Sequence, residues 1–342
     1  MAAASLAVVL VFSLLPVPPS KIRSKTPPAS LPVPPPAVPA PLVMPQAPSE
    51  EPEPEPEHQM PRQGEEEAAA VPVPVPVPAP VPEPAPALPV APPVVAPVVR
   101  PAGLPAWQAF AVPARPAKAM VAVIIDDMGL DHRRSLLVTE LPGPLTLSYM
   151  SYAPHAVEQT RAAHARGHEL MMHMPMQPLA ALDAGPDVLS EQFPPAELHR
   201  RVEADLDRFS GIVGVNNHMG SKFTAYEPGM KIVMESLRQR GLLFIDSMTT
   251  NKSVGMAVAR QAGVPTARRN IFLDDVEDEA SVMGQLAKAE EQAKSAGSVI
   301  VIGHPHDGTI AALTAWLPTL AQKGITLVPV TTVVKAREAR GN

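Results

Sequence analysis

The sequence has 342 residues, a formal net charge of −6 and 46 prolines, of which 33 fall in residues 1–116. The negative charge and the lack of a basic stripe give no basis for nucleic-acid binding. The absence of cysteine excludes disulfides, thiolate metal sites and cysteine nucleophiles. Residues 118–342 are numerous enough for one large α/β domain.

The chain begins with an uncharged apolar run over residues 2–15. A membrane span needs about 20 residues, so this run is more typical of the apolar part of a secretory signal or of a short anchor. We predict a signal peptide or N-terminal anchor over residues 1–20, and an exported protein that is periplasmic or membrane-anchored facing the periplasm. A fortuitously apolar N-terminus is the alternative.

Residues 21–117 are rich in proline, with Pro-Glu repeats over 52–57 and Val-Pro repeats over 71–78. Proline fixes φ and removes a backbone donor, so this segment is predicted to be a disordered, polyproline II-like spacer. Such a spacer could hold a domain away from a membrane, or dock an envelope protein partner. A disordered tail without a spanning role is the alternative.

From Met120 onward, short β-branched runs alternate with longer amphipathic segments. Strands are predicted at 121–125, 145–150, 169–172, 212–215, 242–245, 269–273, 298–302 and 325–328. Helices are predicted at 131–140, 155–166, 195–209, 228–240, 253–262, 278–296 and 309–321. The repeated strand-then-helix order predicts an α/β fold with a parallel sheet and helices outside it.

In closed barrels of parallel strands, active residues lie at the carboxyl ends of the strands. Six predicted strands end in Asp or His, and the side chains concerned are Asp126, Asp127, His173, His218, Asp246, Asp274 and His304. Because burying two unpaired carboxylates costs several kcal/mol, Asp126 and Asp127 should face a cleft, a cation or each other's proton.

Isolated Asp and His residues have simpler explanations. An Asp between a strand and a helix is often the helix N-cap, and this is the prediction for Asp131 and Asp275. His155, His164 and His199 lie within predicted helices, where a surface or core role is expected. Three His strand ends and a double Asp in one parallel sheet are not explained in this way.

Two His and one Asp make a three-ligand site with an open position, and zinc is the first candidate among divalent ions. Such an ion activates water, a second carboxylate can take the proton, and a further His can protonate the leaving group. The set therefore points to metal-assisted hydrolysis of an amide or ester. A nucleophile elbow, a phosphate loop and a dinucleotide fingerprint are all absent from the sequence.

Six short segments in order resemble the divergent polysaccharide deacetylases, a branch of the NodB-type carbohydrate esterases. They are 124–129, 173–176, 216–221, 244–247, 272–274 and 302–305, within a similarity over roughly residues 118–335. The resemblance implies a distorted parallel (β/α) barrel of seven to eight strands. It also implies a metal-dependent hydrolase that removes N-acetyl or O-acetyl groups from an envelope polysaccharide or related glycan.

The resemblance also implies roles for individual residues. Asp126 matches the catalytic base, Asp127 and His173 match metal ligands, and His304 matches the general acid. Gln177 stands where the superfamily has a second metal-binding His, and His218 is the candidate replacement.

The superfamily's Arg-Pro-Pro segment, whose Arg orients the base, is replaced by Asn216-Asn217. Asp246, Asn217, Ser221 and Asp274 are predicted to bind substrate or to orient other groups.

Because the set of metal ligands departs from that of the superfamily, two alternatives to the deacetylase function remain. The domain could be a catalytically inactive glycan-binding or regulatory module, or the barrel could be incidental to a Pro-rich scaffold.

Overall fold

The computed structural model describes residues 103–341, so the predicted signal or anchor and the spacer up to residue 102 lie outside the described residues. Strands are β1 (Met120–Met128), β2 (Thr146–Met150), β3 (Glu169–Met176), β4 (Gly214–Met219), β5 (Leu243–Asp246), β6 (Thr266–Arg268), β7 (Ile271–Phe272), β8 (Ser298–Gly303) and β9 (Thr326–Leu327). Within this described part, no helix has the length and hydropathy needed to cross a bilayer.

Nine α-helices accompany these strands in the described range. They are α1 (Ala106–Ala109), α2 (His132–Thr139), α3 (Ala156–Ala165), α4 (Pro195–Leu206), α5 (Glu227–Arg240), α6 (Gly255–Ala262), α7 (Glu279–Ala296), α8 (Asp307–Trp316) and α9 (Val330–Glu338). Short 3₁₀ turns occur at Phe223–Ala225 and Leu317–Thr319.

The strands form one parallel sheet in the order β6-β5-β4-β3-β2-β1-β8-β7, and the two-residue β9 pairs with β1. Strand β6 lies at one end of this curled path and β7 at the other. The distorted parallel (β/α) barrel of seven to eight strands is therefore confirmed, with eight strands along the path. All strands run the same way, so their carboxyl ends meet at one rim.

The alternation of side chains along each strand divides the core into two layers. On β1, Val121, Val123 and Ile125 pack in the layer under the helices, whereas Ala122 and Ile124 face the interior of the barrel. The interior layer is completed from below by valines of α9 and by Trp107 of α1. This alternation decides which polar side chains at the rim can face the interior.

The structure shows that part of the predicted spacer packs on the domain, because Ala106 and Trp107 are buried and Phe110 is partly buried against the core. Trp107 is only 6 % exposed, and its backbone N–H donates to the Gly241 carbonyl at 2.9 Å. Trp107 belongs to the segment that was predicted to be a disordered spacer, so its burial was not expected from the sequence. The domain boundary at residue 118 otherwise stays a prediction.

Two further elements were not predicted. Helix α9 begins with Val-Thr-Thr-Val-Val, a β-branched run that favours strand locally but is held as helix by burial of Val333 and Val334. Strand β6 has only three residues and no apolar run. Asp131 caps α2 as predicted, accepting from Arg134 N at 2.9 Å, but α7 is capped by Asp278 and not by Asp275.

Candidate active site

A bulge in β1 brings two adjacent carboxylates to the same site. The β1–β2 register is broken between Ile125 and Met128, and Asp127 adopts a left-handed φ of 55°. In a regular strand, neighbouring side chains point to opposite faces, so Asp127 would turn towards the helices. The bulge redirects it, and both carboxylates now face the interior at the rim.

Asn216 on β4 holds the Asp126 carboxylate. Its Nδ2 donates to Asp126 Oδ1 at 2.8 Å and to Oδ2 at 2.9 Å, with a third contact of 3.2 Å to Ser247 Oγ. Asp126 is 2 % exposed and Asn216 is fully buried. Asn216 therefore orients Asp126 at the place where the resembling superfamily uses an arginine.

The other end of the same amide fixes His173. Asn216 Oδ1 accepts from Ser148 Oγ at 2.6 Å and lies 2.8 Å from His173 Nδ1. Because Nδ2 faces a carboxylate and must be the donor side, Oδ1 is the acceptor and His173 Nδ1 carries the proton. The lone pair of His173 is thereby left on Nε2, which lies 3.4 Å from Asp127 Oδ1 and 3.7 Å from Asp126 Oδ2.

Asp127, His173 and His218 bring one ligand atom each to within 4.8 Å of one another. His218 Nδ1 lies 2.9 Å from Asp127 Oδ1, and the two imidazole rings meet edge to face with centroids 5.0 Å apart. Strand β4 continues to Met219, so His218 lies within a strand and faces the interior as Asn216 does two residues earlier.

These three residues fit a divalent ion. Asp127 Oδ1 is buried, and the approach of His218 lacks hydrogen-bond geometry, so this oxygen has no hydrogen-bond partner within the described chain. Around zinc, ligand atoms about 2.0–2.1 Å from the ion lie roughly 3.3 Å apart, close to the distances found between Asp127 Oδ1 and the two imidazoles. A cation bound by Asp127 Oδ1 and the imidazoles of His173 and His218 would give this buried oxygen the partner that it lacks.

Burial and charge separate the two carboxylates. Burial raises the pKa of Asp126 above its ordinary value, although the charge of His173 opposes it. Burial would also raise the pKa of Asp127, but the close contact with His218 and the charge of His173 lower it instead. Burial also lowers the pKa of His173, although the charges of Asp126 and Asp127 oppose this shift. Carboxyl groups whose pKa values are pushed apart in this way are suited to different roles.

His304 follows β8 and is held by Asp274, which follows β7. The Nδ1 of His304 lies 3.1 Å from Asp274 Oδ1, and its backbone N–H donates to Asp274 Oδ2. Burial would lower the pKa of His304, but the hydrogen bond to Asp274 and the charge of Asp126 raise it to about 9. Its Nε2 has no hydrogen-bond partner in the described part of the chain.

A second group of possible metal ligands is formed by Asp274, His304 and His306. Both oxygens of Asp274 already have hydrogen-bond contacts, because Thr309 Oγ1 donates to Oδ2 at 2.9 Å in addition to the two contacts from His304. His306 lies towards Glu277, at 3.4 Å. The hydrogen bonds explain this group without an ion, so the first group is the better metal site.

Three residues that were predicted to bind substrate or to orient other groups make hydrogen bonds within the rim. Asp246 shares the outward face of β5 with Phe244, and it accepts from Met248 N at 2.9 Å and Ser253 Oγ at 2.7 Å. Asn217 Oδ1 accepts from Ser247 N, and Ser221 Oγ accepts from Leu179 N.

Asp246 was expected to orient a histidine or bind sugar, and among the residues described it bonds to no histidine. Gln177 likewise closes a loop, accepting from Ser190 Oγ at 3.0 Å, and lies in neither metal-ligand group.

Sequence reasoning missed the function of Asn216 and selected its neighbour Asn217. The spacing in the sequence could have predicted this function. Asn216 and His218 are two residues apart on one strand, so they share a face. The same alternation places Asp126 with Ile124 and His173 with Met171 on the inner face.

A family model described as "divergent polysaccharide deacetylase" matches residues 123–334. The uncharacterized protein YibQ of Escherichia coli is 35 % identical over 216 residues, which cover 63 % of this chain and 66 % of the relative. An uncharacterized protein of Haemophilus influenzae is 34 % identical over 206 residues, covering 60 % of this chain and 74 % of the relative. The chain thus spans slightly under two thirds of the first relative's length.

A solved structure is also similar. The crystal structure of an uncharacterized protein from Agrobacterium tumefaciens superposes with a TM-score of 0.66 at 26 % sequence identity, covering 68 % of this chain and 96 % of that one.

Proposed function

Since the chain belongs to the divergent polysaccharide deacetylase family, we propose that it is a metal-dependent hydrolase that removes N-acetyl or O-acetyl groups from an envelope polysaccharide or related glycan. One observation carries the proposal. Asp127, His173 and His218 converge on one point, and beside it Asp126 is clamped by Asn216.

Asp127 Oδ1, His173 Nε2 and His218 Nδ1 would hold the ion. Two imidazoles and a carboxylate favour zinc over magnesium or calcium, which prefer oxygen ligands. When bound, the ion supplies a Lewis acid that lowers the pKa of water and polarises the acyl carbonyl. Asn216 and Ser148 fix the tautomer of His173, which is the usual function of such outer hydrogen bonds.

Asp126 serves as the general base. It is buried beside the ligand group, and the Asn216 amide holds both of its oxygens in place. Its raised pKa makes it a better proton acceptor than an exposed aspartate. Asp126 therefore takes the proton from the attacking water at one of its Oδ atoms.

His304 serves as the general acid. Asp274 holds its Nδ1, which leaves Nε2 to give a proton to the departing amine or alcohol. A pKa of about 9 keeps the imidazolium protonated at neutral pH. Base and acid thus occupy neighbouring strands, since β1 pairs with β8.

The experiment measures bound zinc and the release of acetate from chitooligosaccharides and from peptidoglycan fragments. Asp126→Asn should retain one ion per chain and lose acetate release, because the ligands are intact but the base is gone. Asp127→Ala and His173→Ala should lose both. Asp131→Asn, which changes only the cap of α2 and the nearby ion pair with Arg134, is the matched control and should retain both.

Retention of one ion after both ligand substitutions would contradict the metal assignment. The non-enzymatic alternative, a glycan-binding or regulatory module, gives a different result: the wild-type protein would bind the glycan fragments without releasing acetate, and Asp126→Asn would change neither property.

We also propose that the protein is exported, and that the spacer joins the domain to an anchor or to an envelope protein partner. The support is the apolar run at residues 2–15 and the proline content of residues 21–102. Export is tested by fractionating cells that express the full chain and by adding protease to intact spheroplasts. A protease-resistant domain would contradict export.

A further inference from the structure

A cavity of about 290 Å³ lies beside β6, the strand at one end of the sheet, and residues of α6, α7, β8 and α9 also line it. Arg260, Arg268, Arg337 and Arg340 line it, and no Asp or Glu contributes to its walls. The chain as a whole carries a net charge of −6, so a cavity lined by four cations and no anion is unusual for this molecule.

These four arginines make no ion pair within 4 Å in the part of the chain that the structure describes. By contrast, the arginines of α4 and α5 are paired with glutamates, for example Arg201 with Glu197 and Arg238 with Glu235. Glu338 lines a neighbouring cavity together with Arg260, but the two form no ion pair. The positive charge of the arginine cavity is therefore not neutralised by the fold.

Arg337 is the most buried of the four and is already positioned. Its guanidinium donates to Asn270 Oδ1 at 2.9 Å and to Ser298 Oγ at 3.2 Å, both neutral acceptors. Burial, and then the charge of Arg268, lower the pKa of Arg337. Arg337 is thus a half-buried cation that lies near a second cation, Arg268. An anionic ligand between them would stabilise both positive charges.

The cavity is separate from the candidate active site. Arg268 is exposed and lines the cavity, whereas its neighbour Arg269 donates to the carbonyls of Ser247 and Met248 at the rim. Neighbouring residues of an extended chain point to opposite sides, which explains why Arg268 faces the cavity and Arg269 faces the rim.

We propose that this cavity is a binding site for a phosphoryl group or an equivalent doubly charged oxyanion. A guanidinium presents its donors as a planar fork that matches phosphate oxygens, and four arginines lining one cavity favour a doubly charged group over a single carboxylate. The group belongs either to a soluble phosphorylated compound or to a phospholipid headgroup at a membrane surface.

The test measures the thermal midpoint of the full chain as inorganic phosphate is titrated into the millimolar range, against sodium chloride at equal ionic strength. A saturating ligand should raise Tm by about 2–4 °C. Arg268→Gln and Arg340→Gln should each lose most of this shift. Both side chains are exposed, and neither makes the hydrogen bonds of Arg337, so the fold should tolerate the changes.

Arg238→Gln, which removes an ion-paired arginine on α5, is the matched control and should keep the full shift. Cosedimentation with phosphatidylglycerol–phosphatidylcholine vesicles distinguishes the two sources. Vesicle binding that depends on Arg268 and Arg340 supports the headgroup, and a phosphate effect without vesicle binding supports the soluble compound. A phosphate shift equal to that of chloride, or one equal in all variants, would overturn the proposal.

Discussion

Asn216 connects the two functions of the candidate site through a single side-chain amide. Its nitrogen holds the proposed base Asp126, and its oxygen fixes the proton of the proposed ligand His173. An arginine at this place could donate to the base but could not accept from a histidine, because guanidinium has no acceptor. An asparagine at this place is therefore compatible with the proposed catalysis, and it also orients the proposed ligand His173.

Asn216→Ala should lower metal affinity and acetate release together, each by about 10–100-fold, because it frees both the base and the tautomer of His173. Isothermal titration with zinc and acetate assays measure the two effects. Asn217→Ala is the neighbouring control. It loosens the rim through Ser247 and should leave zinc affinity within a few-fold of wild type. Equal losses in both variants would show that Asn216 acts only through stability.

Asp274→Asn should shift the alkaline limb of the pH profile. His304 must be protonated to act as an acid, so kcat/KM should fall as pH rises through its pKa of about 9. Without the Asp274 charge this pKa drops, and the fall should begin at lower pH. Acetate release measured from neutral to alkaline pH tests this, with Asp275→Asn as the neighbouring control. An unchanged alkaline limb would argue against His304 as the acid.

At the scale of elements, one buried carboxyl group ties three parts of the barrel together below the site. Glu169 begins β3, and it accepts from Thr146 Oγ1 of β2 and from Thr331 N and Oγ1 of α9. Burial raises the pKa of Glu169 to about 7 despite these hydrogen bonds. These contacts indicate a structural function for Glu169.

Glu169 should make the domain less stable at alkaline than at acidic pH. A pKa raised in the folded state means that the folded form holds the proton longer, so stability present at about pH 4.5 is lost as pH rises to about 7. The loss is on the order of 3 kcal/mol. Urea unfolding at acidic and alkaline pH measures it.

Glu169→Gln should remove most of that pH dependence, while Glu235→Gln on the exposed face of α5 should leave it unchanged. The same fall in stability in the Glu169→Gln protein would assign the effect to another buried acid. Asp205, whose pKa burial also raises to about 7, is the next group to examine.

At the scale of the whole molecule, the folded unit begins before the region that matches the family. The family match starts at residue 123, yet Trp107 lies in the interior core layer with Met120, Val213 and Val333. The proline-rich segment therefore contributes its last residues to the domain that it precedes. The backbone hydrogen bond from Trp107 N to the Gly241 carbonyl holds this segment beside the start of β5.

A chain shortened to residues 118–342 should be less stable than one that begins at residue 103. Trp107→Ala alone should cost about 3–5 kcal/mol, the usual cost of removing a buried Trp side chain. Leu104→Ala is the control, since this side chain is 46 % exposed and should cost little. Urea midpoints measure all three, and equal midpoints for the two chain lengths would show that the segment does not contribute.

The sequence by itself determined the parallel α/β class, most strands to within a few residues, and the set of side chains available at the rim. These follow from short apolar runs and from polar residues at their ends, which are local patterns. It also identified His218 as the partner of Asp127 and His173, through the resemblance and the missing histidine at Gln177.

Only the tertiary structure decided which of these side chains meet. The bulge at Asp126-Asp127 depends on pairing with β2, and the function of Asn216 depends on β1, β2 and β3 lying beside β4. Asp246 turned outwards because a strand alternates its faces, and Trp107 became buried because α1 covers the base of the barrel. The arginine cavity combines residues from α6, β6 and α9, whose approach no local pattern specifies.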